Sequence, residues 1–494
     1  MLETLGIDLP TAVLLLFAIG LALSFEFVNG FHDTANAVAT VIYTNSLKPG
    51  YAVVWSGVWN LIGVLTSSGA VAFGIVALLP VELVINVGSG AGFAMVFSLL
   101  VSAILWNLGT WYLGLPASSS HTLIGSIVGV GLMNSLLSPD SAFGDGVNWV
   151  KVADTVKALV FSPLIGFVAA ALLLLAARAL LRNPALFQAP AGNAPPPLWI
   201  RTLLILTCTG VSVAHGSNDG QKGMGLIVLI LVGIVPAGFA LDLHTSRETF
   251  DQIRSSAALI GQQLPPATGQ AAGGLDAEHR TLTDYLRHGI VQPATVAALA
   301  AVNQRVLHDL QGVQSFTTIP GAQRRDLRLN IYLVSETLAR LAKAHQLPSQ
   351  LDAAAAAKYQ STLKRTTNFI PTWVKFAVAL ALGLGTMIGW KRIVVTVGEK
   401  IGKAHLTYGQ GACAEIVAFG TIEAADVLGL PVSTTHILSS GIAGTMVANG
   451  SGIQKDTVRN IILAWVLTLP VCVFLGATLF AAGLFLVLHV LGVH

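Results

Sequence analysis

Gly114-Leu-Pro-Ala-Ser-Ser-Ser-His121 and Gly429-Leu-Pro-Val-Ser-Thr-Thr-His436 are one octapeptide written twice, 315 positions apart. In each copy Gly and Pro end one helical segment, and the hydroxyl residues that follow cap the start of the next. Ser119 and Thr434 are expected at those helix starts. Both copies are set in apolar sequence, so each start falls inside a membrane, where it offers backbone N–H groups and the positive end of the helix dipole. The hydroxyls of Ser118, Ser119, Ser120, Ser433, Thr434 and Thr435 add donors without net charge, a combination that binds an oxyanion and still releases it. A packing surface of small residues would look similar in a single copy. Two copies closed by the same His favour the anion site.

A looser pair lies upstream of each octapeptide. Phe31-His-Asp-Thr-Ala-Asn36 answers to Ser217-Asn-Asp-Gly-Gln-Lys222, with Asp33 and Asp219 aligned at an offset of 186. The two offsets differ by 129 residues, close to the length of a hydrophilic stretch, 244–365, that carries 13 Lys/Arg and 9 Asp/Glu. The second half therefore reads as a copy of the first, interrupted after its first motif. This gives a first repeat at 1–182, a Pro/Ala-rich linker at 183–200 and the start of the second repeat at 201–243. A soluble, partly helical insert at 244–365 precedes the remainder of that repeat at 366–494. Duplicated halves with interrupted helices are the plan of secondary transporters. The expected fold is an all-α polytopic membrane protein of two inverted repeats, with discontinuous helices and re-entrant-type hairpins.

Composition agrees, with 54% of the 494 residues hydrophobic and only 10% charged, against about a quarter charged in soluble chains. A net charge of +3 gives no sign of a nucleic-acid partner. Cys208, Cys413 and Cys472 sit in apolar runs as small buried hydrophobes. The apolar stretch from Thr11 lacks a basic flank and a cleavage site, and reads as a retained membrane helix. A span needs about 20 apolar residues. Candidates are Thr11–Val28, Ala52–Leu79, Ala91–Leu113, Leu115–Met133, Thr155–Leu180, Arg201–Ala214, Met224–Leu241, Pro371–Trp390, Gly409–Leu428, Thr434–Val447 and Val458–Val490. Arg201–Ala214 and Thr434–Val447 are short, as in broken helices, and Val458–Val490 is long enough to be tilted or doubled. Arg178, Arg182, Arg201, Lys391, Arg392, Lys400 and Lys403 crowd short loops and point to the cytoplasmic side.

Six acidic residues lie in or beside apolar runs, where each central charge costs about 2.5–3.5 kcal/mol. Asp33 and Asp219, flanked by Gly, Asn and His in matching places, are assigned to a cavity. Glu26, Glu423 and Asp426 are read as interfacial helix-end positions, and Glu415 stays unassigned. His32, His121, His215 and His436 are candidate proton carriers, with a structural donor role as the alternative. Lys222, with Gln221 beside it, is a candidate oxyanion contact, its alternative being to snorkel toward an interface. An oxyanion beside Asp33 and Asp219 meets repulsion unless a cation accompanies it or a carboxylate is protonated. Asp33, Asn36, Asn218 and Asp219 are hard oxygen ligands suited to Na⁺, Mg²⁺ or Ca²⁺. No permanently bound cofactor is expected.

At these residues the chain resembles the inorganic phosphate transporter (Pit) family, above all the bacterial low-affinity permeases. The resemblance runs through Asn29–Thr44, Trp106–Gly125, Ala214–Gly225, Gly383–Gly402 and Gly429–Met446. It implies a phosphate permease with inverted repeats and phosphate held at hairpin tips in mid-membrane. It places Asp33, Asn36, Asn218 and Asp219 on the Asp/Asn signatures and the Ser/Thr triplets on the tips. His32 stands where many members have Asn, which weakens sodium coupling. The members most similar here are proton-coupled carriers of neutral metal–phosphate complexes, so uptake with H⁺ and a divalent metal, Mg²⁺ or Ca²⁺, across a bacterial inner membrane is implied, together with a homodimer. A sodium-coupled phosphate symporter or a sulfate permease is the alternative. Ser119, His121 and Asp33 match a hydrolase by residue type alone, but no Gly-x-Ser-x-Gly elbow exists.

Overall fold

The structure is a computed structural model that describes residues 7–33, 35–79, 89–138, 142–145, 147–181, 183–265 and 275–490, with the side chains at 35, 36, 275 and 490 outside that set. The Asn36 side chain of the first signature, Arg182 and residues 266–274 of the hydrophilic stretch therefore lie outside the described set. In chain order the helices are α1 Leu9–Asp33, α2 Ala35–Tyr43, α3 Pro49–Thr66, α4 Ala70–Val76, α5 Gly90–Tyr112, α6 Ser119–Leu137, α7 Trp149–Leu180 and α8 Leu198–Ile234. Then come α9 Arg247–Gln263, α10 Leu275–His288, α11 Pro293–Asp309, α12 Gly321–Lys343 and α13 Ala353–Thr367. The last are α14 Thr372–Met387, α15 Lys391–Glu399, α16 Tyr408–Val427, α17 Thr434–Ala448 and α18 Lys455–Phe485.

Six helical runs among the described residues are long and apolar enough to cross a membrane: Leu9–Tyr43 (α1 with α2), α5, α6, α7, α8 and Lys455–His489. Their outward faces are apolar. Val160, Phe161, Leu164, Ile165, Val168 and Leu172 on α7, and Ile462, Leu463, Val466 and Phe474 on α18, are all exposed. Such belts are stable only against lipid, where each backbone must satisfy its own hydrogen bonds as a helix does.

Two expectations change, and one open alternative is decided. Arg201–Ala214 and Met224–Leu241 are not separate spans. α8 runs unbroken from the first into the second and ends at Ile234, ahead of the short turn Pro236–Phe239, because no proline intervenes before Pro236 and its glycines make room for neighbours without leaving the helix. The second Asp signature thus sits on a continuous helix. Ala52–Leu79 is a bent pair, α3 and α4, meeting at 76°. Ser67 caps the end of α3 in an extended conformation, and Gly69 takes φ +87, a left-handed value, just before α4 begins. Val458–Val490 is one helix, α18, closed by a π-helical turn at Leu486–Val490.

The described residues of Phe17–Pro80, Ser89–Ile227 and Ile370–His494 form one compact unit. Its packing is reciprocal between the halves. α6 lies along α18 and α17 along α7, while α5 meets α18 as α16 meets α7. Close backbone approaches repeat as well. A Cβ on Gly216 would overlap the Asn60 carbonyl, as one on Gly30 would overlap Leu382's. A Cβ on Gly63 would overlap the Val213 carbonyl, as one on Gly385 would overlap Phe27's. Both correspondences use the 186-residue offset, 30 to 216 and 27 to 213, so the sequence duplication is also a duplication of contacts.

The described residues of Met1–Leu16 and Val228–Phe369 form the other unit. Between Leu241 and Leu363 it has its own core, with Phe250, Ile253, Leu299, Val302, Val334 and Tyr359 buried from α9, α11, α12 and α13. The chain enters and leaves this stretch at one point. Asp242 N–H donates to Thr366 O at 2.9 Å, and Arg328 Nη1 donates to Ala240 O and Thr367 O at 2.6 and 2.9 Å.

That closure predicts that replacing 244–365 with a short Gly/Ser linker spares phosphate binding, measured by equilibrium dialysis on a purified, monodisperse deletion. Gly216→Val should destabilise the protein by about 1–3 kcal/mol, the range for overpacking. Gly109→Ala, where a Cβ meets nothing within 4 Å, should leave thermal unfolding in detergent unchanged or slightly raised.

Candidate substrate and cation site

Each octapeptide builds a hairpin. α5 and α16 end in a Schellman turn, in which Leu115 N–H donates to Thr110 O and Leu430 N–H to Ala425 O, both at 2.9 Å. Gly114 (φ +68) and Gly429 (φ +65) supply the left-handed residue this turn requires. The next helices then begin, one residue earlier than a cap at Ser119 and Thr434 would place them. Ser118 and Ser433 are the N-caps, accepting from His121 N–H at 3.2 Å and His436 N–H at 3.1 Å. Ser119 and Thr434 are instead the first helical residues. The two tips abut. Ser120 Oγ donates to Val432 O at 2.7 Å, and the His121 and His436 rings lie 4.7 Å apart, with His436 stacked on Trp465 at 4.0 Å.

Asp33, the last residue of α1, closes this arrangement. Its Oδ2 accepts from Ser119 Oγ at 2.8 Å and its Oδ1 from Thr435 Oγ1 at 2.6 Å, one hydroxyl from each tip. His32 Nδ1 lies 3.1 Å from the same Oδ1, and its Nε2 is 3.1 Å from Thr110 Oγ1. On α8, Asp219 Oδ1 is 2.9 Å from Lys222 Nζ, and Oδ2 is 3.4 Å from His215 Nε2. Lys222 is fully buried, which excludes snorkelling. His215 Nδ1 lies 2.8 Å from Asn60 Oδ1, an atom that only accepts, so Nδ1 carries the hydrogen. In the neutral ring Nε2 then presents a lone pair toward the carboxylates.

Ligand atoms of Asp33, His215 and Asp219 all lie within 4.8 Å of one another, and all three residues are buried. Two carboxylates and an imidazole nitrogen at that spacing can close on one cation.

The geometry thus unites His32, Asp33, Ser119, Thr435, His215, Asp219 and Lys222, which the sequence places in four separate stretches. Asn218 Nδ2 donates to Leu430 O at 3.2 Å and fastens α8 to the second tip. Gln221 is committed elsewhere. Its Nε2 donates to Ser217 O and Asp426 Oδ1, and its Oε1 accepts from Val71 N–H at 2.9 Å at the start of α4. Glu26 is not interfacial. It is fully buried within α1, and its Oε1 accepts from Gly223 N–H at 2.6 Å. Asp426 does close a helix, but it is buried on Ser217 and Gln221. Asn60, Thr110 and the Thr40–Glu415–Thr207 cluster were not singled out from sequence. A lone Asn or Thr in an apolar helix carries no motif. The one available signal was the membrane carboxylate at Glu415.

The phosphate transporter family (PHO4) matches residues 29–476. The chain is 43% identical to the low-affinity inorganic phosphate transporter PitA of Escherichia coli (strain K12), across 96% of this chain and 97% of that one. It is 27% identical to a probable low-affinity inorganic phosphate transporter of Bacillus subtilis (strain 168), across 92% and 93%. A solved structure titled the sodium-dependent phosphate transporter shares the fold, with a TM-score of 0.51 at 18% identity over 95% of this chain and 98% of that one. With its apolar helices and duplicated hairpins, the molecule is a multi-pass membrane transport protein and not an enzyme. The chain belongs to the phosphate transporter family.

Ser119→Ala and Thr435→Ala each remove a donor from the buried Asp33 carboxylate and should each lower stability by about 1.5–3 kcal/mol. Ser119→Thr keeps the donor and should be milder. Thermal unfolding in detergent checks this, and the loss from Ser119→Ala should shrink in an Asp33→Asn background.

Proposed function

We propose that this protein takes up inorganic phosphate by secondary active transport, as a neutral complex with Mg²⁺ or Ca²⁺ and in symport with protons, across a bacterial inner membrane. The carrying observation is that Asp33 accepts one hydroxyl from each hairpin tip. Hydroxyls that hold a carboxylate oxygen are equally suited to a phosphate oxygen, and two helix starts add N–H groups and dipoles of the right sign. Ser118, Ser119, Ser120, Ser433, Thr434 and Thr435 are therefore assigned to phosphate recognition, directly or by capping. Names of the relatives, low-affinity inorganic phosphate transporters, support the same substrate.

Coupling follows from charge. Phosphate at the tips is repelled by Asp33 and Asp219 in a poorly screened interior. A cation or proton at Asp33, His215 and Asp219 removes that repulsion. It also draws the Asp33 oxygens away from Ser119 and Thr435, whose hydroxyls then turn to the anion. Each partner thus favours the other, as thermodynamic reciprocity requires. His32, hydrogen-bonded to Asp33, is the nearest carrier for a proton. The reciprocal packing of the halves supports two inverted repeats rocking about this centre.

Uptake of radiolabelled phosphate into proteoliposomes, with and without Mg²⁺ and an inward proton gradient and with sulfate as competitor, tests the reading. Stimulation by both, with no competition from sulfate, is expected; uptake indifferent to both would refute the coupling. Asp33→Asn and Asp219→Asn should each abolish coupled uptake while the protein still reaches the membrane. Normal transport by both variants would remove the cation assignment.

A further inference from the structure

The offset that aligns Asp33 with Asp219 also aligns Asn36 with Lys222. This register is not an accident of sequence, because the glycine contacts of Gly30 and Gly216, and the carbonyls of Phe27 and Val213, obey it in three dimensions. One repeat therefore carries Asp-x-x-Asn, two hard oxygen ligands three positions apart in sequence. The other carries Asp-x-x-Lys, a carboxylate with an ammonium in the place of the second ligand. Lys222 Nζ sits 2.9 Å from Asp219 Oδ1, with side-chain exposures of 0% and 1%. Around Asp33, by contrast, the partners are two hydroxyls and His32.

We propose that the Lys222 ammonium is a built-in cation, which fills in the second repeat the position that a mobile cation would take beside an Asp-x-x-Asn signature. This deepens the reading of Asp33 and Asp219 as the coupling centre and rests on it. An ammonium held at hydrogen-bond distance neutralises Asp219 permanently, and it cannot leave with the substrate. Asp33 is then the carboxylate of this pair left for a mobile ion to neutralise. A neutral metal–phosphate complex adds no charge to that balance, so one proton or monovalent cation at Asp33 completes it. Lys222 is on this view a specificity-determining residue. It reduces the number of mobile cations required and makes the second signature indifferent to Na⁺.

Lys222→Asn restores Asp-x-x-Asn and is the direct test. In the purified full-length protein, Na⁺ substituted for choline should raise the thermal midpoint of Lys222→Asn and leave wild type unmoved. Equilibrium dialysis with radioactive Na⁺ should show bound Na⁺ only in the variant. Both readouts work without phosphate, so they stand even if the substrate or the coupling ion of the wild type is other than proposed. Phosphate affinity of the variant should rise about tenfold from choline to Na⁺, within the usual 5–150-fold range of coupling between sites. A folded Lys222→Asn that loses phosphate binding in both salts and takes up no Na⁺ would make Lys222 a direct phosphate ligand and overturn the proposal. A lone buried carboxylate is strongly destabilising, whereas removing both partners is often neutral. If Lys222→Asn is unstable, Na⁺ in the extraction buffer should therefore rescue it where choline does not. Instability in both salts, alongside a stable Asp219→Asn/Lys222→Asn double variant, would equally overturn it.

Discussion

Burying a carboxylate in an apolar membrane interior costs several kilocalories per mole unless donors or counter-charge surround it. Asp33 and Asp219 impose that demand at the centre of this fold, and it is met differently at each. Asp33 is held by Ser119, Thr435 and His32, and Asp219 by the Lys222 ammonium. Satisfying Asp33 requires two hairpin tips from opposite ends of the chain to arrive within hydrogen-bond reach of one residue. The Schellman turns at Gly114 and Gly429, the caps at Ser118 and Ser433, and the Ser120–Val432 contact all serve that convergence.

Helices that must approach this closely cannot carry side chains at the crossing. The glycines at 30, 63, 216 and 385 each face a backbone carbonyl of a neighbouring helix. In lipid, where the hydrophobic effect does not press helices together, such backbone approach is a principal source of cohesion. The contacts occur in matched pairs, so the two halves are locked by the same chemistry. Differences between the repeats then stand out against a common frame. The tip hydroxyls that reach Asp33 are Ser119 and Thr435, although the aligned partner of Ser119 is Thr434. That displacement by one residue turns a duplicated sequence into an asymmetric site, with Asp33 central and Asp219 beside it. A transporter gains from such asymmetry, since anion and cation ask for opposite charges in adjacent places.

The hydrophilic stretch follows other rules. Its helices bury Phe250, Leu299, Val334 and Tyr359 among themselves, as a water-exposed helical bundle does. Its ends are fastened by Asp242, Thr366 and Arg328. Because those ends meet, the stretch closes on itself, and the entropy cost of such a closure grows only slowly with length.

Sequence by itself determined the class of the molecule. Low charge, apolar runs of spanning length and the twice-written octapeptide leave little besides a duplicated helical transporter, because those features are local and composition-driven. It also marked Asp33, Asp219 and the Ser/Thr triplets, since a membrane carboxylate and a Gly-Leu-Pro turn carry their cost and geometry wherever they lie. Only the tertiary structure decided which hydroxyls meet which carboxylate, that α8 passes unbroken through the second signature, and that Gln221 serves α4 and Asp426. It alone showed Asn60 and Thr110 orienting the histidines, and Glu26 buried on Gly223. These are contacts between residues dozens to hundreds of positions apart, and they are set by how helices cross. Local sequence fixes the start of a helix and its apolar face; it does not encode the neighbour that face will meet.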